Sequence, residues 1–354
     1  MTNPIDSNLC LDPSITFNRM FVIHMYSLKK DLTFPENWFY PTLPQTEYKS
    51  WGYQKYLDFG VFEKNDKSLK MYMNTSGAPQ YAFPNGNQDQ LFQFLLMTDW
   101  TLLYDEMHDY GDISREDSIK VYKRTKRIIM TNELPLDPTP LDKCTHFIVN
   151  KIKEKSPSAY MENLVLNLMI GWIDVGTAHL DLSRMKEVPS LSVVDYLRTT
   201  NIAIELCIMT IIHSQGYNES LLFSDPSWKE LTKSIAQIVY HLNDIVSWEV
   251  EKMQSGTCNA MSIKIHNGMT PQQAYLSIIQ DIDNLVKYCL ELEGELGIRF
   301  PNLNCLEKCI KSAYYCATGI FCWSLTSERY KTKDSIFKEL VSTNEQVARS
   351  FGDL

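Results

Sequence analysis

The sequence predicts an all-α protein, a single helical bundle with a deep interior, and three observations predict it. Glycine and proline are scarce: 14 Gly and 15 Pro make up about 8% of 354 residues, against a usual level of roughly 12%. Sheet-rich folds and Gly-rich nucleotide-binding folds use these residues for turns and phosphate loops, so the scarcity argues for helices. Apolar residues recur with a period near 3.6 along several long stretches. No Gly/Ser or charge-block linker divides the chain, and no internal repeat is found. The expected organisation is therefore one domain over 1–354.

Residues 1–35 read as an irregular N-terminal segment, and 34–44 (FPENWFYPTLP) as an irregular aromatic stretch with three prolines. Residues 88–109 carry Leu91, Phe92, Leu95, Leu96, Leu102 and Leu103 and are apolar almost all round, as a core helix is. Residues 160–182 form a second apolar helix, ending before Glu187-Val188-Pro189-Ser190, and 191–214 a third. Asp225-Pro226 opens a helix over 226–253, with Trp228, Leu231, Ile235, Val239, Leu242 and Val246 on one stripe. The interval 254–269 reads as a loop. Thr270-Pro271-Gln272-Gln273 is a capping box with Pro at the first helical position. The last strong helix is expected over about 304–331.

Composition excludes several function classes. The chain has 34 basic and 43 acidic residues, a formal charge of −9, and no basic run. Nucleic-acid binding needs a basic footprint, so no nucleic-acid partner is expected. No window approaches 18 uninterrupted apolar residues, so no membrane span is expected. The N-terminus, with Pro4 and Asp6 and no apolar core, resembles neither a secretory signal nor a transit peptide. Nine cysteines sit mostly among apolar neighbours, and Cys305 and Cys309 lack a histidine partner at zinc-like spacing. Reduced thiols in a cytoplasmic protein are the expectation. The aromatic share is 12%, with 19 Tyr, 15 Phe and 7 Trp, more ring surface than a helical bundle needs for packing alone.

Three constellations carry chemistry. The first is Asp105-Glu106-Met107-His108-Asp109, at the C-terminal end of the 88–109 helix. Asp105 and Asp109 share a face at i and i+4, and Asp112 adds a further acid. A helix C-terminus carries partial negative charge and disfavours carboxylates, so either solvent screens these acids or cations bind them. The second is Asn243-Asp244-Ile245-Val246-Ser247-Trp248-Glu249-Val250-Glu251. Asn243, Ser247 and Glu251 follow one another at i+4, which stacks an amide, a hydroxyl and a carboxylate along one helix edge. Such oxygens suit Mg²⁺; the alternative is a solvated polar face opposite the apolar stripe. The third is Arg329-Tyr330, six residues past Trp323, able to clamp a phosphate through guanidinium and hydroxyl donors. Arg198, 45 residues before Asn243, reads on its own as a surface charge.

Together these residues resemble one family. The chain is similar to the class I terpene synthases of the single-domain microbial type, sesquiterpene synthase-like, over about residues 35–335. The matching features are DExxD at 105–109, NDxxSxxxE at 243–251, Arg329-Tyr330 with upstream Trp323, and Arg198 in the place of the diphosphate-sensing arginine. The resemblance implies the all-α class I terpenoid synthase bundle with a deep central cavity. It implies a lyase that ionises an isoprenyl diphosphate, farnesyl diphosphate above all, and cyclises the allylic cation with three Mg²⁺ ions. By the same resemblance, Asp105 would hold two metals, with Asp109 and Glu106 in the same acidic motif, and Asn243, Ser247 and Glu251 the third. Arg198, Arg329 and Tyr330 would hold diphosphate, Asp244 would orient an arginine, and Trp323 would line the pocket.

The chain departs from the family pattern at three places. Glu106 stands where Asp is usual, and Val250 where Lys frequently precedes the final Glu. Lys252 lies roughly 200° around the helix from that position. Asn201 and Ile202 occupy a stretch where the family has a kink glycine. An isoprenyl chain-elongating synthase would need a second aspartate-rich motif where this chain carries NDxxSxxxE. A protonation-initiated cyclase would need DxDD, and Asp281-Ile282-Asp283-Asn284 lacks the last acid. An inactive helical relative acting as an interaction protein is the non-enzymatic alternative. Product, substrate length between C10 and C20, and assembly as a homodimer stay open at this level.

Overall fold

Caps recur at the ends of the apolar stretches, and the chain folds as the caps direct. A computed structural model describes residues 26–40, 49–109, 113–183, 187–252, 258–333 and 335–342. The N-terminal part holds α1 (Leu28–Asp31), a 3₁₀ turn (Glu36–Trp38), α2 (Lys49–Phe59), α3 (Asp66–Thr75), α4 (Ala78–Ala82) and α5 (Gln88–Asp109). Then follow α6 (Arg115–Thr131), α7 (Pro140–Lys155) and α8 (Ala159–Ser183). The C-terminal half holds α9 (Leu191–Asn201), α10 (Ile204–Ser214), α11 (Ser220–Ser224), α12 (Pro226–Glu251), α13 (Ala260–His266), α14 (Pro271–Arg299) and α15 (Leu306–Thr326). Among the described residues there is no strand, only the isolated bridges Tyr26–Phe337 and Thr332–Val341.

Thr270 and Gln273 form the expected box, each side chain bonding the other's backbone N–H at 3.2 and 2.9 Å. Asp225 accepts the Ser227 N–H at 2.8 Å and starts α12. Thr139 and Asp142 make a second box at the start of α7 that sequence reasoning passed over. At the centre lies α10, buried from Ile204 to His213 except at Glu205. It packs against α5, α8, α12 and α15, so the helices carrying the predicted motifs surround one apolar rod.

The structure corrects four expectations. Residues 191–214 are two helices, because Ala203 takes a left-handed conformation (φ 61°) and ends the α9 ladder. The Asn201 carbonyl exposed by that break accepts the Trp172 indole N–H at 2.8 Å, which compensates the lost helical bond. The interval 254–269 contains α13, started by Asn259; residues 253–257 lie outside the described residues. The last helix stops at Thr326 rather than 331, because Ser327 turns extended and its hydroxyl accepts the Arg329 N–H, opening a 3₁₀ turn over Glu328–Tyr330. Within the aromatic 34–44 stretch, Glu36–Trp38 is that first 3₁₀ turn, and 41–44 lie outside the described residues.

The segment before residue 35 is tied down where it is described. The Tyr26 N–H donates to the Ile336 carbonyl at 2.9 Å, and the Ser27 hydroxyl to Glu339 at 2.8 Å. Residues 1–25 lie outside the described residues. Most rings serve packing: Trp38 stacks on Tyr314 with centroids 3.9 Å apart, and Trp100, Tyr104 and Trp172 form one cluster.

Candidate active site

The last two turns of α12 present Asn243, Asp244, Ser247 and Glu251. This part of the helix is not a solvated face: Asp244 and Ser247 are buried, and Asn243 and Glu251 are half-buried. The Ser247 hydroxyl donates to the Asn243 carbonyl at 2.7 Å, which leaves its lone pairs facing away from the helix backbone. From α9, one nitrogen of Arg198 donates to Asn243 Oδ1 at 2.8 Å and to Asp244 Oδ1 at 2.7 Å. The other Asp244 oxygen accepts the Ala260 N–H at 2.6 Å. Burial raises the Asp244 carboxyl and the Arg198 charge beside it draws it back down, which leaves it at about 6, above the ordinary carboxylate range. Burial works against the Arg198 charge, but Asp244, Glu251 and Asp105 outweigh it and raise its pKa. Its Nε is buried with no hydrogen-bond partner.

The other motifs converge on the same place. The Asn243 amide donates to the Tyr330 hydroxyl at 3.2 Å, which joins the 3₁₀ turn to α12. Trp323 is buried and meets the Tyr330 ring edge-on at 5.7 Å. The Arg329 guanidinium carbon lies 5.9 Å from that ring's centre. Farther along, Glu249 accepts from the Thr332 hydroxyl at 3.2 Å and the Ile336 N–H at 3.0 Å, so the tail after Tyr330 is also fastened to α12. Asp105, near the end of α5, is half-buried, and its charge is felt by both Arg198 and His179. The side chains of Glu106 and Asp109, and Asp112 with them, lie outside the described residues. Lys252 places its ammonium 4.3 Å over the Trp248 ring, which accounts for it without the Glu251 edge.

Two residues at the site were missed in the sequence. Asn259 donates its amide to the Asp244 carbonyl at 2.8 Å and to Glu251 Oε2 at 2.9 Å. Its signal was a helix-capping Asn before the apolar run of α13. His179, on α8, is buried, and desolvation holds its pKa down to about 4, so it is neutral while it feels the charges of both Arg198 and Asp105. Nothing in its neighbourhood along the chain announced it.

The architecture defines the class. Solved structures with the class I terpenoid synthase fold superpose on the chain. A linalool/nerolidol synthase from Streptomyces clavuligerus gives a TM-score of 0.69 at 14% identity, covering 80% of this chain and 98% of that one. A germacradien-4-ol synthase from Streptomyces citricolor gives 0.67 at 13%, covering 83% and 98%. The family model "Terpene synthase family 2, C-terminal metal binding" matches residues 97–288, more than half of the chain. The chain belongs to the terpene synthase family. Among curated relatives, terpene synthase 9 of Dictyostelium purpureum is 26% identical over 323 residues, 88% of this chain and 94% of that protein. Terpene synthase 1 of Acytostelium subglobosum is 25% identical over 326 residues, 88% and 96%. It is an enzyme with terpene synthase activity, and no helix of the described residues is long and apolar enough to cross a membrane.

Proposed function

We propose that this terpene synthase uses Mg²⁺ to ionise farnesyl diphosphate and cyclises the resulting allylic cation. The observation that carries the reading is the convergence of Asn243, Ser247 and Glu251 with Arg198 and Tyr330, drawn from three separate elements. The donor set fits a hard cation: an amide oxygen, a hydroxyl and a carboxylate lie along one edge. Among the described residues no three His, Cys, Asp or Glu come together, so a cation here would rest on these mixed oxygens and on the substrate's own phosphate oxygens. The orphaned Arg198 Nε–H fits an incoming anion.

In this reading Asn243, Ser247 and Glu251 hold one metal, and Asp105, with Asp109 and Glu106, holds the others. Bound Mg²⁺ supplies Lewis-acid stabilisation of the departing diphosphate. Arg198 and Arg329 offer guanidinium donors to the same oxygens, and the Tyr330 hydroxyl offers a third group. The C–O bond to diphosphate breaks, leaving a cation in the bundle interior. Trp323 presents an aromatic surface that stabilises positive charge without attacking it. Farnesyl length rests on chain size and family likeness. The linalool/nerolidol synthase of similar fold was solved with 2-fluorogeranyl diphosphate, which supports an isoprenyl diphosphate as the substrate class. The eight described cysteines are unbridged, which suits a reducing, cytoplasmic setting.

Replacing Asn243 or Glu251 by Ala is expected to cut diphosphate release from farnesyl diphosphate at least about a hundredfold. Circular dichroism should stay helical. Wild-type turnover in both variants would remove this triad from the chemistry.

A further inference from the structure

Asn259 lies on no motif that pointed to the site, yet it touches three of its parts. Its carboxamide oxygen accepts the Met261 N–H at 2.9 Å and the Ser262 N–H at 3.4 Å, capping α13. That cap fixes which end of the amide is which: the NH₂ must face α12. There it donates to the Asp244 carbonyl at 2.8 Å and to Glu251 Oε2 at 2.9 Å, and stands 3.5 Å from Ser247 Oγ. The next residue's N–H holds Asp244 Oδ2, and Asp244 holds Arg198. Asn259 itself is 1% exposed. A side chain this buried, with both ends of its amide engaged, has one orientation.

We propose that Asn259 is a positioning residue for the candidate metal triad, presetting Glu251 against Ser247 before any cation arrives. Without the amide, the Glu251 carboxylate at the end of α12 would be free to turn away from Ser247. With it, one Glu251 oxygen is occupied by Asn259 and the other is left for the cation. Groups that hold a ligand in place typically set metal affinity by about 10- to 100-fold. The proposal rests on the reading of Asn243, Ser247 and Glu251 as metal ligands.

Asn259→Ser and Asn259→Thr keep a capping oxygen for α13 and remove the amide donors. Mn²⁺ binding, titrated by electron paramagnetic resonance in the presence of inorganic diphosphate, reads the site without turnover. Both variants are expected to melt close to wild type and to need about 10-fold more Mn²⁺ for half-saturation. Two folded variants that bind Mn²⁺ as wild type does, while Glu251→Ala binds it poorly, would overturn the role of Asn259 alone. Unchanged Mn²⁺ binding in Glu251→Ala would instead sink the triad reading, and the proposal with it. If one of the two substitutions fails to fold, the other decides.

Discussion

Asp244 keeps a charge in a fully buried position because two donors meet its carboxylate. Arg198 and the Ala260 N–H satisfy its two oxygens, and its backbone carbonyl takes the Asn259 amide. Removing one member of a buried ion pair leaves the other uncompensated, typically at a cost of about 3–5 kcal/mol. Asp244→Ala should therefore lose stability of that order, seen as a lower urea midpoint at unchanged m-value. A midpoint equal to wild type would mean that Arg198 finds solvent or another carboxylate instead. At this scale the sequence was informative where spacing alone could speak. The i+4 run of Asn243, Ser247 and Glu251 stood out, whereas Arg198 resembled a surface charge until its resemblance partners were set beside it. Asn259 and His179 were illegible because their partners lie on other elements.

Among the helices, the break between α9 and α10 depends on Ala203 adopting a left-handed conformation that L-residues avoid at roughly 1–2 kcal/mol. Glycine carries no such penalty, so Ala203→Gly is expected to raise stability by about 1 kcal/mol, read from urea melts. A destabilised variant would show that the Ala203 methyl packs better than its backbone suffers. Periodicity hid the break because no glycine marks it, although the family resemblance has a kink in that stretch, and the bond that supports it runs from Trp172 on α8. By contrast, the starts of α12 and α14 were readable, since Asp225 and Thr270 cap them locally. The stop of α15 was not, because Ser327 acts forward on the next turn. Close approach gives a second element-scale test. A Cβ at Gly319 on α15 would lie 2.2 Å from the Tyr81 carbonyl oxygen on α4. Gly319→Ala should force these helices apart and cost about 1–3 kcal/mol, measurable as a lower melting temperature.

For the whole molecule, low glycine and proline content and helical periodicity were sufficient for the all-α bundle, because the core helices α5, α8, α12, α14 and α15 run 21 to 29 residues each. The aromatic surplus resolves mainly into core clusters, while the Tyr330 hydroxyl meets Asn243 and the Tyr330 ring packs edge-on against Trp323. Burial also gives the molecule a pH dependence. His241 is held down to about 3 by desolvation, against an ordinary 6.5, and its Nδ1 has no partner. It stays neutral when folded and takes a proton on unfolding below pH 6.5. Its contribution to stability is therefore complete above pH 6.5 and falls as pH drops through that value towards 3, by about 1.4 kcal/mol per pH unit. His241→Gln should remove that slope from urea-derived stabilities compared between pH 7 and 5, while the remaining groups titrate alike in both proteins. Parallel profiles for variant and wild type would show that His241 already protonates in the fold.

The converged side chains of α9, α12 and the Arg329-Tyr330 turn, with Asp105 of α5, are proposed to ionise an isoprenyl diphosphate. The decisive experiment incubates the purified chain with farnesyl diphosphate, with and without Mg²⁺, and analyses the extracted products by gas chromatography and mass spectrometry. A C15 terpene hydrocarbon or alcohol formed only with Mg²⁺ is the predicted result. No terpene from farnesyl diphosphate, nor from its C10 and C20 homologues, with the metal present, would contradict it.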